Sequence, residues 1–159
     1  MQNRQTNHIL NFEKDIDLKQ RAWIEIRGKA IETNVRQLRS KISKNCQFMA
    51  VVKADGYGHD AKLVSEYAIK GGASQLGVAT LNEGIKLRSS GVKNPILILG
   101  NLYTKSDLIT CFKNDLMPTI SCIRECLICN NIGKQFGLKF LLHLKVDTGM
   151  SRLGFEYNK

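Results

Sequence analysis

The sequence predicts an α/β fold built on parallel strands. Three observations carry this. Short continuous apolar runs alternate with stretches of helical periodicity, the links between them are short and rich in glycine or capping residues, and 43% apolar residues in a chain of 159 suffice for one ordinary core. Two strands joined through a helix run in the same direction, so strict alternation implies parallel pairing with helices outside.

Ala22-Trp23-Ile24-Glu25-Ile26 alternates with period two and predicts a strand. From Gly28 to Ser43, Ile31, Val35, Leu38 and Ile42 recur at helical spacing and predict a helix. Phe48 to Val52 is a continuous apolar run, the mark of a buried parallel strand. Ala61 to Lys70 reads as a helix with Leu63, Val64, Tyr67 and Ala68 on one face, stopped by Gly71-Gly72. Residues 75–79 form the next strand, and Thr80-Leu81-Asn82-Glu83 has the form of a capping box opening a helix to about Ser90. Strands over 95–99 and 117–121 alternate with helices over Lys105 to Lys113 and Ile123 to Phe136, the latter ending at Gly137. Leu138 to Val146 completes the series as a further apolar strand.

Five βα-type strands thus follow the first one. Crossovers continued in one direction make a (β/α)8 barrel, whereas a reversal makes a doubly wound sheet, and composition does not choose between them. A closed barrel takes about 250 residues and eight strands. The chain supplies about five, so it is expected to be a truncated piece of a longer enzyme or an unfinished gene product. Residues 1–20 are polar, without the apolar core of a signal peptide, and read as a solvated extension. No stretch approaches the roughly 18 apolar residues of a membrane span, and the cytosol is the expected compartment.

The formal net charge is +10, from 24 Lys and Arg against 14 Asp and Glu. The basic residues are scattered singly and do not interleave with aromatics, which argues against a nucleic-acid partner and for attraction of small anions. The cysteines at 46, 111, 122, 126 and 129 are odd in number, so a disulfide framework is not expected. Cys122, Cys126 and Cys129 share one helix face among apolar residues and read as core packing rather than as a metal site.

Lys53 directly follows the run Ala50-Val51-Val52, which places it at the C-terminal end of a buried strand, where catalytic residues collect in βα architectures. A lysine acts as a nucleophile once desolvated or set beside another cation. Gly56 and Gly58 allow a sharp turn, Tyr57 and His59 add polar groups, and a helix start close behind suits an aldehyde cofactor with a phosphate tail. The plain alternative is a solvated strand terminus followed by an ordinary glycine turn.

The run Ala50-Val51-Val52-Lys53-Ala54-Asp55-Gly56-Tyr57-Gly58-His59 resembles the cofactor-attachment motif of alanine racemases. The segment from His143 through Lys145, Asp147, Thr148, Gly149, Met150 and Arg152 to Phe155 resembles that family's second N-terminal motif. Arg21-Ala22-Trp23-Ile24-Glu25-Ile26, followed by Asn34 and Leu38, and Leu81 to Arg88 also fit. The resemblance implies a partial (β/α)8 TIM-type barrel over residues 21–159, about five of its eight parallel strands, preceded by one strand that in the family belongs to the C-terminal β domain. It implies pyridoxal 5′-phosphate (PLP) as cofactor, L- and D-alanine as substrates, a role in peptidoglycan synthesis and a homodimer. Lys53 would be the Schiff-base lysine and one catalytic base, and Tyr57 would bond near the cofactor phosphate. Arg152 would approach the cofactor's phenolic oxygen and orient the substrate carboxylate. Met150 would line the substrate site through its backbone amide. Lys145 matches a lysine often carbamylated in the family, which orients that arginine. Asp147 and Thr148 read better as turn residues.

Racemisation needs a base on each face of the substrate. The family's second base is a tyrosine on the C-terminal β domain, which residues 1–159 do not include. Asp60 stands where the family usually has glycine. The alternatives are a non-catalytic, truncated PLP-binding homologue and another barrel protein of the same PLP fold type, such as a homeostasis protein or an amino-acid decarboxylase.

Overall fold

A computed structural model describes residues 22–157; the expected polar extension over 1–20 lies outside the described residues. Helix α1 (Gly28–Ser40) leads into strand β1 (Met49–Val51) and then helix α2 (Ala61–Lys70). Strand β2 (Gln75–Val78), helix α3 (Leu81–Ser89), strand β3 (Ile96–Asn101) and helix α4 (Lys105–Lys113) follow. Strand β4 (Met117–Ile120), helix α5 (Ile123–Phe136) and strand β5 (His143–Leu144) complete the alternation. Two short strands, β6 (Val146–Asp147) and β7 (Phe155–Glu156), pair with each other apart from the main sheet.

The main sheet runs in the order β1-β2-β3-β4-β5, parallel at every pairing. Chain order and sheet order coincide, so each crossover advances the same way. A doubly wound sheet would reverse, and this one does not. The five strands are therefore an arc of a barrel wall.

Register and pleat separate two faces. Leu76 pairs with Ile96 and Val78 with Ile98, and these side chains, with Ile120, are fully buried against the helices. Leu87, Leu108, Cys111, Cys129 and Ile132 close this core from the helix side. The alternate residues face the barrel interior, where Met49, Val51 and Leu99 crowd the open space above Gly77. Val51 remains 40% exposed there, because the arc has no opposite wall among the described residues. Arg88 knits the outer ends of the units together, its guanidinium donating to the carbonyls of Val92, Asn94, Asn114 and Asp115.

Two expected strands are not as the sequence suggests. Residues 22–26 adopt no strand, with Trp23 and Ile24 largely exposed; a period-two segment needs a sheet neighbour, and it has none among the described residues. The run 138–146 forms ladder bonds only at His143 and Leu144, before the short β6. Its apolar character serves packing instead. Phe140 stacks on Phe112 of α4 with ring centroids 3.6 Å apart, and Leu142 packs against the core. Helix α1 also stops at Ser40, short of Ser43, where Arg39 turns back to donate to the carbonyls of Ser43 and Lys44. Of the three cysteines on one face of α5, Cys129 is buried, Cys126 half-buried and Cys122 exposed at the N-cap. No helix among the described residues is long and apolar enough to cross a membrane.

Candidate active site

Parallel strands put all their C-terminal ends on one rim. In order around the arc the rim carries Lys53, Thr80, Asn101, Ser121 and Lys145. Val52 turns into the helix-side core, 1% exposed, so strand parity sends Lys53 to the interior face, where it is half-buried.

The chain then does something the sequence did not suggest. Ala54, Asp55, Gly56 and Tyr57 all adopt left-handed helical angles, with φ between 50° and 63°. Runs of this kind are rare, because each L-residue in that region crowds its Cβ against the following carbonyl. The turn is held from several sides. Ala54 N–H donates to Glu83 Oε1 at 2.8 Å, and Gly56 N–H to the Val52 carbonyl at 2.9 Å. Asp55 Oδ1 accepts from Ala61 N–H at 3.0 Å, pinning the turn to the start of α2. His59 Nδ1 lies 3.1 Å from the Gly56 carbonyl and 2.9 Å from that of Tyr57. Asp60 has φ 63°, which glycine would adopt freely; its side chain offsets the strain by accepting from Leu63 N–H at 3.0 Å as the N-cap of α2.

The turn brings two of the candidate residues together: Lys53 Nζ lies 6.0 Å from the centroid of the Tyr57 ring. The others sit across the rim. Lys145 is fixed by its backbone, its N–H donating to the Ile120 carbonyl at 2.9 Å and its carbonyl accepting from Phe155 N–H at 2.8 Å. Met150 and Arg152 are exposed in the loop between β6 and β7, and the Arg152 side chain has no hydrogen bond or ion pair among the described residues. Asp147 organises that loop. Its Oδ1 accepts from Gly149 N–H at 2.9 Å and Ser151 N–H at 3.0 Å. The Gly149 amide first, then the Ser151 amide, hold its carboxyl below the usual carboxylate value. Asp147 is thus a turn residue, as its sequence context suggests.

Sequence reasoning missed two features of the rim. One is the reach of Glu83 to Ala54, which joins residues 29 apart in sequence; only its capping-box half was legible. The other is a polar cluster between β3 and β4, where Glu125, 4% exposed, accepts from Ser121 N–H at 2.7 Å and from Asn101 Nδ2 at 3.2 Å. Asn101 Nδ2 also donates to Ser121 Oγ, and Asn101 Oδ1 is buried without a partner among the described residues.

Residues 26–159 match the family model described as "Alanine racemase, N-terminal domain". The chain belongs to the alanine racemase N-terminal domain family. An alanine racemase of Prochlorococcus marinus is 52% identical over 141 residues, which is 89% of this chain and 36% of that protein. The crystal structure of alanine racemase from E. faecalis superposes with a TM-score of 0.77 at 37% identity, covering 82% of this chain and 35% of that one. A histidine racemase from Leuconostoc mesenteroides gives 0.72 at 26% identity over 81% of this chain and 34% of that one. The chain spans about a third of the length of these relatives.

Proposed function

We propose that this chain is the PLP-binding part of an alanine racemase, with Lys53 as the lysine that holds the cofactor covalently. The observation that carries the reading is the state of Lys53. It is half-buried directly after buried Val52 at the C-terminal end of β1, its ammonium makes no hydrogen bond or ion pair among the described residues, and a strained turn follows it. An amine so placed is free to bond an aldehyde. The unengaged Arg152 and the surplus positive charge suit the anionic groups of PLP and of an amino acid.

When bound, PLP supplies an electron sink for the carbanion at the substrate Cα. The chain's own residues would do the rest. Lys53 Nζ would take or return the α-proton on one face. Tyr57 would donate its hydroxyl hydrogen bond near the cofactor phosphate. Arg152 would orient the substrate carboxylate, with Lys145 setting the position of the guanidinium and Met150 lining the substrate side through its amide. Proton transfer on the opposite face needs a second base, which the proposal assigns to the tyrosine of the family's C-terminal β domain. A homodimer and a cytosolic setting belong to the same proposal, as does the assignment of residues 21–159 to the barrel domain. Alanine is the preferred substrate because the named relative with 52% identity acts under that name. The likeness over the same region to a structure named a histidine racemase supports assigning the choice of substrate side chain to residues outside this part of the barrel.

The test is covalent capture. The chain is incubated with PLP, reduced with borohydride, and the pyridoxyl-bearing peptide identified by mass spectrometry. Capture concentrated at Lys53 and lost in Lys53→Ala supports the reading. Capture spread evenly over the chain's lysines, unchanged in Lys53→Ala, refutes it.

A further inference from the structure

We propose that Glu83 is a positioning residue for Lys53, acting through the backbone N–H of Ala54. The inference rests on the function proposed above and deepens it.

The two carboxylate oxygens of Glu83 divide their work. Oε2 accepts from Ala79 N–H at 2.7 Å and Thr80 N–H at 3.0 Å, which caps the start of α3 and would satisfy any helix start. Oε1 accepts from Ala54 alone, across to the end of the neighbouring strand. That N–H belongs to the peptide joining Lys53 to the first left-handed residue. Its direction depends on ψ of Lys53 and φ of Ala54, the same torsions that set how the Lys53 backbone enters the turn. Fixing the amide on a charged acceptor therefore fixes the root from which the lysine side chain leaves the strand.

Glu125 provides an internal comparison. It is the third residue of α5 as Glu83 is of α3, and it likewise reaches back to the preceding strand end and across to the strand before it. Its far partner is the side chain of Asn101, with no lysine adjacent in sequence. The carboxylate strut is thus a repeated device of the rim, and at Glu83 it is aimed at the residue next to the reactive amine.

The experiment compares Glu83→Gln with two controls. Glutamine has a single acceptor oxygen and must abandon either Ala54 or the helix cap. Thr80→Ala removes the hydroxyl that accepts from Glu83 N–H and leaves the carboxylate in place. Glu125→Gln breaks the equivalent strut away from Lys53. Two readouts are taken on the full chain, with melting temperature as the check on folding: competitive acetylation of Lys53 without cofactor, and PLP capture at Lys53. In Glu83→Gln, loss of a charge-assisted bond should raise the acetylation rate of half-buried Lys53 about tenfold and lower its PLP capture about tenfold. Both controls should lower the melting temperature while leaving both readouts within about twofold of the parent chain. Glu83→Gln matching the controls in both readouts would overturn the proposal. If the parent chain captures no PLP at Lys53, the proposed function fails and acetylation alone decides whether Glu83 positions the lysine.

Discussion

The left-handed turn after Lys53 makes a quantitative prediction that separates strain from packing. Ala54 and Gly56 share one backbone conformation, φ 50° and 63°, in opposite surroundings: Ala54 is exposed and Gly56 buried. An L-residue in this region carries a penalty of roughly 1–2 kcal/mol, and glycine's extra freedom in the unfolded chain takes back roughly 0.4–1 kcal/mol. Ala54 loses little packing on truncation, so Ala54→Gly should stabilise the chain by roughly 0.5–1 kcal/mol, a rise of about 1–4 °C in Tm at this size. Gly56→Ala should do the reverse. Its new Cβ would take on the same backbone penalty and lie 2.9 Å from Val64 Cγ2 and 3.3 Å from the backbone of Ala61. That substitution should destabilise by about 2 kcal/mol or more. Urea unfolding followed by circular dichroism measures both. The reasoning fails if Ala54→Gly destabilises the chain by as much as Gly56→Ala, since that would mean the turn is not under strain. A stabilised Ala54→Gly that captures PLP less well at Lys53 would further show the strain to be functional.

Three further outcomes follow from the same geometry. Gly154 has φ 125°, and a Cβ there would lie 2.7 Å from Asp147 N, so Gly154→Ala should unpair β6 from β7; hydrogen exchange should show faster exchange at Phe155 N–H with the core amides unchanged. Burial pushes the Cys111 thiol up to about 12 and the Cys129 thiol up to about 11, so at pH 8 a thiol reagent should modify exposed Cys46 and Cys122 quickly and these two only on unfolding. Because both values lie above the unfolded value of 9.0, the stability these thiols contribute is complete below pH 9 and should decline as pH rises from there toward 11 and 12. Asp147 has the opposite sign: its carboxyl is held below 3.8, so its contribution to the β6–β7 loop is complete above that pH and should be lost only under stronger acid, as exchange at Gly149 and Ser151 would report.

What could be read from the sequence follows a physical rule. Elements defined by local chemistry were legible. The helices Lys105–Lys113 and Ile123–Phe136 have the bounds that the sequence pattern gives them, and Gly137 closes the second in the left-handed conformation expected of a helix-ending glycine. The Thr80 and Glu83 capping box forms as the pattern indicates. Elements that depend on a distant partner were not legible. Residues 22–26 have the alternation of a strand and no neighbour among the described residues to pair with. The run 138–146 is apolar enough for a strand, yet Phe140 is drawn to Phe112 and leaves the ladder to His143 and Leu144.

The candidate site divides the same way. The position of Lys53 at a strand end was set by the five apolar residues Phe48 to Val52 and needed no tertiary knowledge. The conformation of the turn after it was not, because Ala54 and Tyr57 have no intrinsic preference for left-handed angles. That conformation exists only because Glu83, Asp55 and His59 each contribute a bond to it, and the Glu83 bond spans two βα units. A segment whose local preference opposes its observed shape must be held by its surroundings, and functional sites are where such conflicts concentrate. In this chain the conflict falls on the four residues directly after the lysine that the motif singles out, where the proposed function puts the chemistry.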